Sequence, residues 1–214
     1  MRSRHATLAW AGLALGLVVL ALQGAQTMPA RMAAGGGALR ALVFYFSYFS
    51  VIALAGQVLV WLASAWGIGL LRGLAGPTAR TLMAGTGLAV MIGHASGLMT
   101  IGLPAPNPLL IDLALHYLMP LVFLTWWATG PHPVNLRWGR LRAMAILPVG
   151  FALWVVIRGI AIGRWPYPAV AMPEIGWLWG LVNLGLGVVV GVLALAVALA
   201  LSKLLHRVAR HGML

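Results

Sequence analysis

The chain has 214 residues, 62% of them hydrophobic and 7% charged, with 14 Lys and Arg against two acids and a mean hydropathy of +0.99. Soluble domains carry about 25% charged residues, so these values exclude one and indicate an integral membrane protein, a single membrane domain over residues 1–214. The formal charge of +12 flanks apolar runs instead of forming a basic stripe, which argues against nucleic acid, and the absence of cysteine excludes disulfides, thiolate metal sites and cysteine nucleophiles.

Crossing the hydrocarbon layer takes about 20 apolar residues. Six runs satisfy this, near residues 7–28, 41–65, 81–103, 109–129, 143–161 and 177–201. The first follows Arg2 and Arg4 as a secretion signal would, but its length and the lack of a small-residue cleavage site favour a retained span. Gly, Pro and Arg mark the breaks at 29–40, 72–80, 104–108, 130–133 and 163–173, the first containing Gly35 and Gly36. No ten-residue alternation supports strands. The expected fold is therefore an all-α bundle of six transmembrane helices.

Six crossings leave Arg31, Arg40, Arg158 and Arg164 on one face and the other ten cationic residues on the face of the termini. The positive-inside bias predicts cytoplasmic termini, and a bacterial inner membrane is the expected location. Trp126, Trp127 and Trp138 at one edge, and Trp165, Tyr167, Trp177 and Trp179 at the other, are expected interface anchors. Gly12 and Gly16, Gly93 and Gly97, and Gly187 and Gly191 are small-residue pairs that permit close helix approach.

The acids are Asp112 and Glu174. Asp112 precedes His116 by four residues, which stacks the two on one helix face, His116 about 6 Å deeper. A carboxylate so placed fixes the imidazole tautomer and leaves the other ring nitrogen as a base; the same pair serves equally as an interfacial cap and a packing residue. On the second run, Ser47 and Ser50 lie in the segment Val43 to Ser50. Entering near Ala41, a continuous helix sets Ser50 about 13 Å deep, comparable with His116, although membrane serines commonly bond their own backbone. Arg158 is a candidate for holding a carboxylate or phosphate headgroup, or it snorkels to the interface. His94 is the remaining buried candidate, with Asn183 a polar neighbour, while His5, His132, His206 and His211 are expected to be solvated. No P-loop, dinucleotide fingerprint, nucleophile elbow or zinc-protease motif is present.

Three segments together resemble the androgen-induced, FAR-type six-helix family, most closely its bacterial Pr-six-Pr branch: Tyr48-Phe49-Ser50, Leu115-His116-x-x-x-Pro120, and Trp165-Pro166-Tyr167-Pro168. The likeness covers about residues 40–180. It implies an intramembrane hydrolase of fatty acid esters of hydroxy fatty acids, with Ser50 at the position of a threonine nucleophile and His116 at that of the histidine. The chain departs from the family at Val51, Ile52 and Ala53 after the serine, at Thr125-Trp126, and near Ala171, where an acid is expected. Such losses imply an altered substrate or an inactive relative.

The leading expectation is a lipid-ester hydrolase with Ser50, His116 and Asp112 catalytic, and with Arg158, Tyr167, Tyr48 and Asn183 binding a lipid-like substrate. No metal or cofactor is expected. The alternatives are a non-catalytic scaffold or lipid-binding protein, and a haem protein with His94 and His116 as axial ligands.

Overall fold

A computed structural model describes residues 2–33, 37–67, 69–97, 109–132 and 136–210. Gly35, Gly36, the end of the third run (98–103), the break at 104–108, Pro133 and His211 lie outside the described residues. Among the described residues the chain is all-helical: α1 (Arg2–Arg31), α2 (Gly37–Tyr45), α3 (Phe49–Trp66), α4 (Pro77–Ala95), α5 (Leu109–Ala128), α6 (Arg140–Ile162) and α7 (Trp177–Arg210), with short turns between them.

Among the described residues, five helices are long and apolar enough to cross a membrane: α1, α3, α5, α6 and α7. The third run is described only as far as Gly97. Its helix, α4, has 19 residues but carries Thr78, Arg80, Thr81, Thr86 and His94, and it is sheltered by α3, α5 and α7 rather than presented outward. Packing replaces lipid as its solvent, so it is less apolar than its neighbours. Gly85 permits the approach to α7, since a Cβ there would lie 2.8 Å from the Leu195 Cα.

The second run is not one helix. It breaks at residues 46–48 between α2 and α3. Tyr48 turns inward against Phe44 and Tyr167, with ring centroids 5.1 and 5.8 Å apart. The Phe49 N–H donates to the Tyr167 hydroxyl at 2.8 Å instead of continuing the helical ladder, so the depth of Ser50 cannot be counted along an unbroken rod from Ala41.

The fourth run also departs from regular α geometry, with a π turn over Ala114–Leu118. Pro120 has no N–H to offer the carbonyl one turn back, and the Met119 N–H reaches five residues back to Ala114 O. Single π turns inside α-helices recur at functional sites.

Three expected interface anchors are core residues instead: Trp126, Trp127 and Tyr167 are buried, whereas Trp138, Trp177 and Trp179 are exposed. Indole and phenol rings bring large apolar areas as well as a polar tip, and here the tips of Trp126 and Tyr167 find partners inside. The Trp126 Nε1–H donates to the His5 carbonyl at 3.2 Å, and the His5 ring stacks on Trp126.

His132 was expected to be solvated, yet it latches the α5–α6 connection to α7. Its Nε2 donates to Ala128 O at 3.2 Å, so Nδ1 accepts from the Ser202 hydroxyl at 3.1 Å, while His206 Nδ1 donates to His132 O at 2.6 Å. Burial above all, with Arg80 and His206 adding repulsion against the opposing carbonyl bonds, holds this imidazole below the ordinary histidine pKa of 6.5. Folding therefore favours the neutral ring. Its stabilising effect is complete above the unfolded value and fades as pH falls below 6.5 towards the lowered one. Thermal melts between pH 8 and pH 5 should show an acid-side loss that His132→Gln, which keeps hydrogen-bonding capacity without titrating, reduces; equal losses in both proteins would remove His132 as the cause.

Candidate functional site

Asp112 lies in the first helical segment of α5, one turn before His116. The expected contact is present: Asp112 Oδ1 is 3.1 Å from His116 Nδ1, and the same nitrogen is 3.0 Å from the Asp112 carbonyl oxygen. Facing two acceptors, Nδ1 carries the proton, so the neutral ring presents Nε2 as a lone-pair acceptor. His116 is 1% exposed, and the Asp112 side chain 26%. The base is thus interior and its orienting carboxylate reaches the surface.

The third member comes from α4. His94 Nε2 lies 3.2 Å from Asp112 Oδ2, and His94 Nδ1 lies 3.0 Å from the Tyr117 hydroxyl. The carboxylate therefore receives an N–H on each oxygen, and Tyr117 donates to the remaining nitrogen of His94, a chain in which every neutral tautomer is fixed by its neighbour. The two imidazoles stack with centroids 4.1 Å apart and planes inclined by 22°. Rings meeting face to face at that separation leave no room for a porphyrin between them, so the arrangement differs from the end-on axial pair of a haem site.

His94, Asp112 and His116 each offer a ligand atom, and these atoms lie within 4.8 Å of one another. Two imidazoles and a carboxylate suit a divalent transition-metal ion, which would take the place of the protons now shared with the carboxylate. His94 was recognised as a polar candidate in the sequence, but its union with the pair was not. Tyr117, which fixes its tautomer, was overlooked entirely; its only signal was adjacency to His116.

The placement of Ser50 follows from helix register. α1 runs antiparallel to α3, since Gly12 lies against Trp61 and Gly16 against Leu54 and Val58. It is antiparallel to α5 as well, with His5 at Trp126 and Gly16 at Met119. Consequently α3 and α5 are parallel neighbours, and the Trp61 and Phe123 rings pack at a tilt with centroids 5.0 Å apart. Ser50, Leu54, Gln57 and Trp61 form one buried stripe on α3 at helical spacing. Leu54 and Met119 share the surface of Gly16, and Gln57 and Pro120 share that of Gly87. One turn further along this pairing, Ser50 falls level with the turn bearing Asp112 and His116. α4 agrees: Arg80 Nη2 donates to Ser64 Oγ at 3.2 Å at one end, and Ala89 and Val90 pack with Phe49 and Ala53 near the other, which brings His94 to the same layer. The Ser50 hydroxyl makes no hydrogen bond among the described residues, whereas the Ser47 hydroxyl donates to Val43 O at 2.5 Å and is committed to its own helix.

The four expected substrate-binding residues fall around the α2–α3 break and the 163–171 segment. Tyr48, Tyr167 and Arg158 cluster about Phe44, the Arg158 guanidinium lying 5.4 Å from the Phe44 ring centre. Tyr167 has a structural task, accepting the Phe49 N–H; burial pushes its hydroxyl pKa well up and keeps it protonated. Asn183 stands apart, donating to Ala169 O at 2.8 Å and bracing that segment against α7.

No protein-family model, curated protein or solved structure matches the chain.

Proposed function

We propose that the chain is a six-span protein of the bacterial inner membrane, with both termini cytoplasmic, α4 as the third crossing in chain order, and lipid-ester hydrolysis as its activity. The observation that carries the catalytic reading is the Asp112 Oδ1 to His116 Nδ1 contact of 3.1 Å, which leaves Nε2 of a buried imidazole as a base. An unengaged serine hydroxyl at the same level on the facing helix supplies the nucleophile. The resemblance of the three short motifs to the FAR-type, Pr-six-Pr proteins agrees with this reading.

In the proposed reaction Ser50 Oγ attacks the acyl carbonyl as His116 Nε2 takes its proton. Collapse of the tetrahedral intermediate breaks the ester C–O bond, and the imidazolium returns that proton to the departing alkoxide. Water then attacks the acyl-serine with the same base, releasing the carboxylic acid and restoring the hydroxyl. Asp112 stabilises the transient imidazolium and holds the tautomer. Arg158 and Tyr48, with Tyr167 and Asn183 framing them, are assigned to the lipid-like substrate.

A fluorophosphonate probe applied to the purified protein tests the assignment. Labelling of the parent and its loss in both Ser50→Ala and His116→Ala is the expected result. Equal labelling in all three proteins, or none in any while a control hydrolase reacts, returns the chain to the scaffold or lipid-binding reading.

A second reading rests on His94, which a serine mechanism does not require. With Asp112 and His116 it completes a three-ligand set, and a bound divalent metal would lower the pKa of a coordinated water. Elemental analysis after incubation with zinc and removal of excess metal should then find about one equivalent per chain, falling in both His94→Ala and Asp112→Ala. Retention below a tenth of an equivalent by the parent rules this reading out.

A further inference from the structure

The four cationic residues that the topology separates from the other ten are not scattered along their interface. Arg31, Arg40, Arg158 and Arg164 line a single groove of about 490 Å³ where the end of α1, the start of α2 and the end of α6 meet. No acid lines it. Glu174 borders only the adjoining recess, and it forms no ion pair with these arginines among the described residues. Asp112 is engaged by the two histidines.

Arg158 distinguishes this groove from a rim of snorkelling side chains. It is 3% exposed. Its Nη1 donates to Arg164 O at 2.9 Å, but its buried Nε has no partner. A buried guanidinium with an open donor and no counter-charge is costly, and three more cations around the same space raise that cost. Arg31 is held over the Phe44 ring at 3.6 Å, which fixes a second guanidinium at the wall.

We infer that this groove binds a phosphate-bearing anion, supplied by the headgroup of an anionic membrane lipid. Guanidinium forks match phosphate oxygens geometrically. A phosphomonoester offers close to two charges and several acceptor oxygens, against the single charge of a carboxylate, so it compensates this many cations better. The volume lies within the range of ligand sites, about 300 to 1,000 Å³. Leu39 and Ile162, both largely exposed, stand at its apolar edge where acyl chains of a bound lipid would run. This inference is independent of any nucleophilic role for Ser50.

The test is calorimetric titration of the full chain in neutral detergent with dihexanoyl phosphatidic acid, dihexanoyl phosphatidylcholine and inorganic phosphate. Saturable phosphatidic acid binding should weaken at least about tenfold in Arg158→Gln and in the double variant Arg40→Gln with Arg164→Gln. Those two side chains are exposed, so the double variant tests the site without disturbing the interior, and Arg158→Lys separates loss of charge from loss of the fork. Tight phosphatidic acid with weak inorganic phosphate supports the lipid source. Comparable affinity for both keeps the phosphate site but overturns the lipid assignment. Equal affinity for phosphatidic acid and phosphatidylcholine, or unchanged binding in both variants, overturns the site itself.

Discussion

Asp112→Asn should lower ester turnover by about 10⁴-fold while leaving the protein folded. The amide keeps the size of the carboxylate but alters what it does for His116. A carboxylate accepts from Nδ1 and stabilises the imidazolium; an amide carries no charge, and its NH₂ group can donate to Nδ1, moving the proton to Nε2. The base is then blocked by its own proton, which is the reason this substitution is so costly in serine hydrolases of unrelated fold. Two features of this site sharpen the expectation. The Asp112 backbone carbonyl also accepts from Nδ1 at 3.0 Å, so part of the tautomer preference survives, and Asp112→Asn should retain more activity than His116→Ala. With its NH₂ turned to His116, the asparagine keeps its Oδ1 toward His94 Nε2, so the loss falls on His116. Turnover within about tenfold of the parent would remove Asp112 from the mechanism.

Tyr167→Phe should destabilise the protein by about 1 to 3 kcal/mol, the cost of leaving a buried donor unsatisfied. Phenylalanine preserves ring packing against Tyr48 and Phe151, so the change isolates the hydroxyl. What is lost is the acceptor for the Phe49 N–H, 3% exposed as a residue and sitting at the first position of α3, where the helix has no internal partner for it. For a chain of this size about 2 to 4 °C of melting temperature corresponds to each kcal/mol. Ser50 is the next residue, so a loosened start to α3 should also reduce turnover. A rise in KM with unchanged melting temperature would instead make Tyr167 a substrate contact and contradict its bracing role.

The helical, membrane-embedded character of the chain was legible because burial in lipid demands long apolar runs, and α1, α6 and α7 are plain examples. The Asp112–His116 contact was legible because it is local: i and i+4 meet on any helix. His94 joins them through tertiary packing, and no spacing in the sequence encodes that 22-residue separation as proximity. The break at 46–48 was hidden because it lacks Gly or Pro. Its cause is an acceptor supplied by Tyr167, which local propensity cannot report. α4 was legible as a helix, but its shelter among α3, α5 and α7 comes from tertiary packing and not from its own apolar pattern. The arginine groove was half visible. The expected six-span topology separates four cations from ten, but their convergence depends on the α1, α2 and α6 ends meeting.

The bond from Phe49 to Tyr167 joins residues 118 apart in the chain. At elongation rates of about 5 to 20 residues per second, the ribosome adds the tyrosine roughly 6 to 24 s after the amide it will satisfy. Throughout that interval the start of α3 has an open N–H beside Ser50, which another acceptor, such as water, must satisfy. Maturation of the proposed nucleophile thus waits on the last third of translation, and products truncated before residue 167 would be released with that N–H still open.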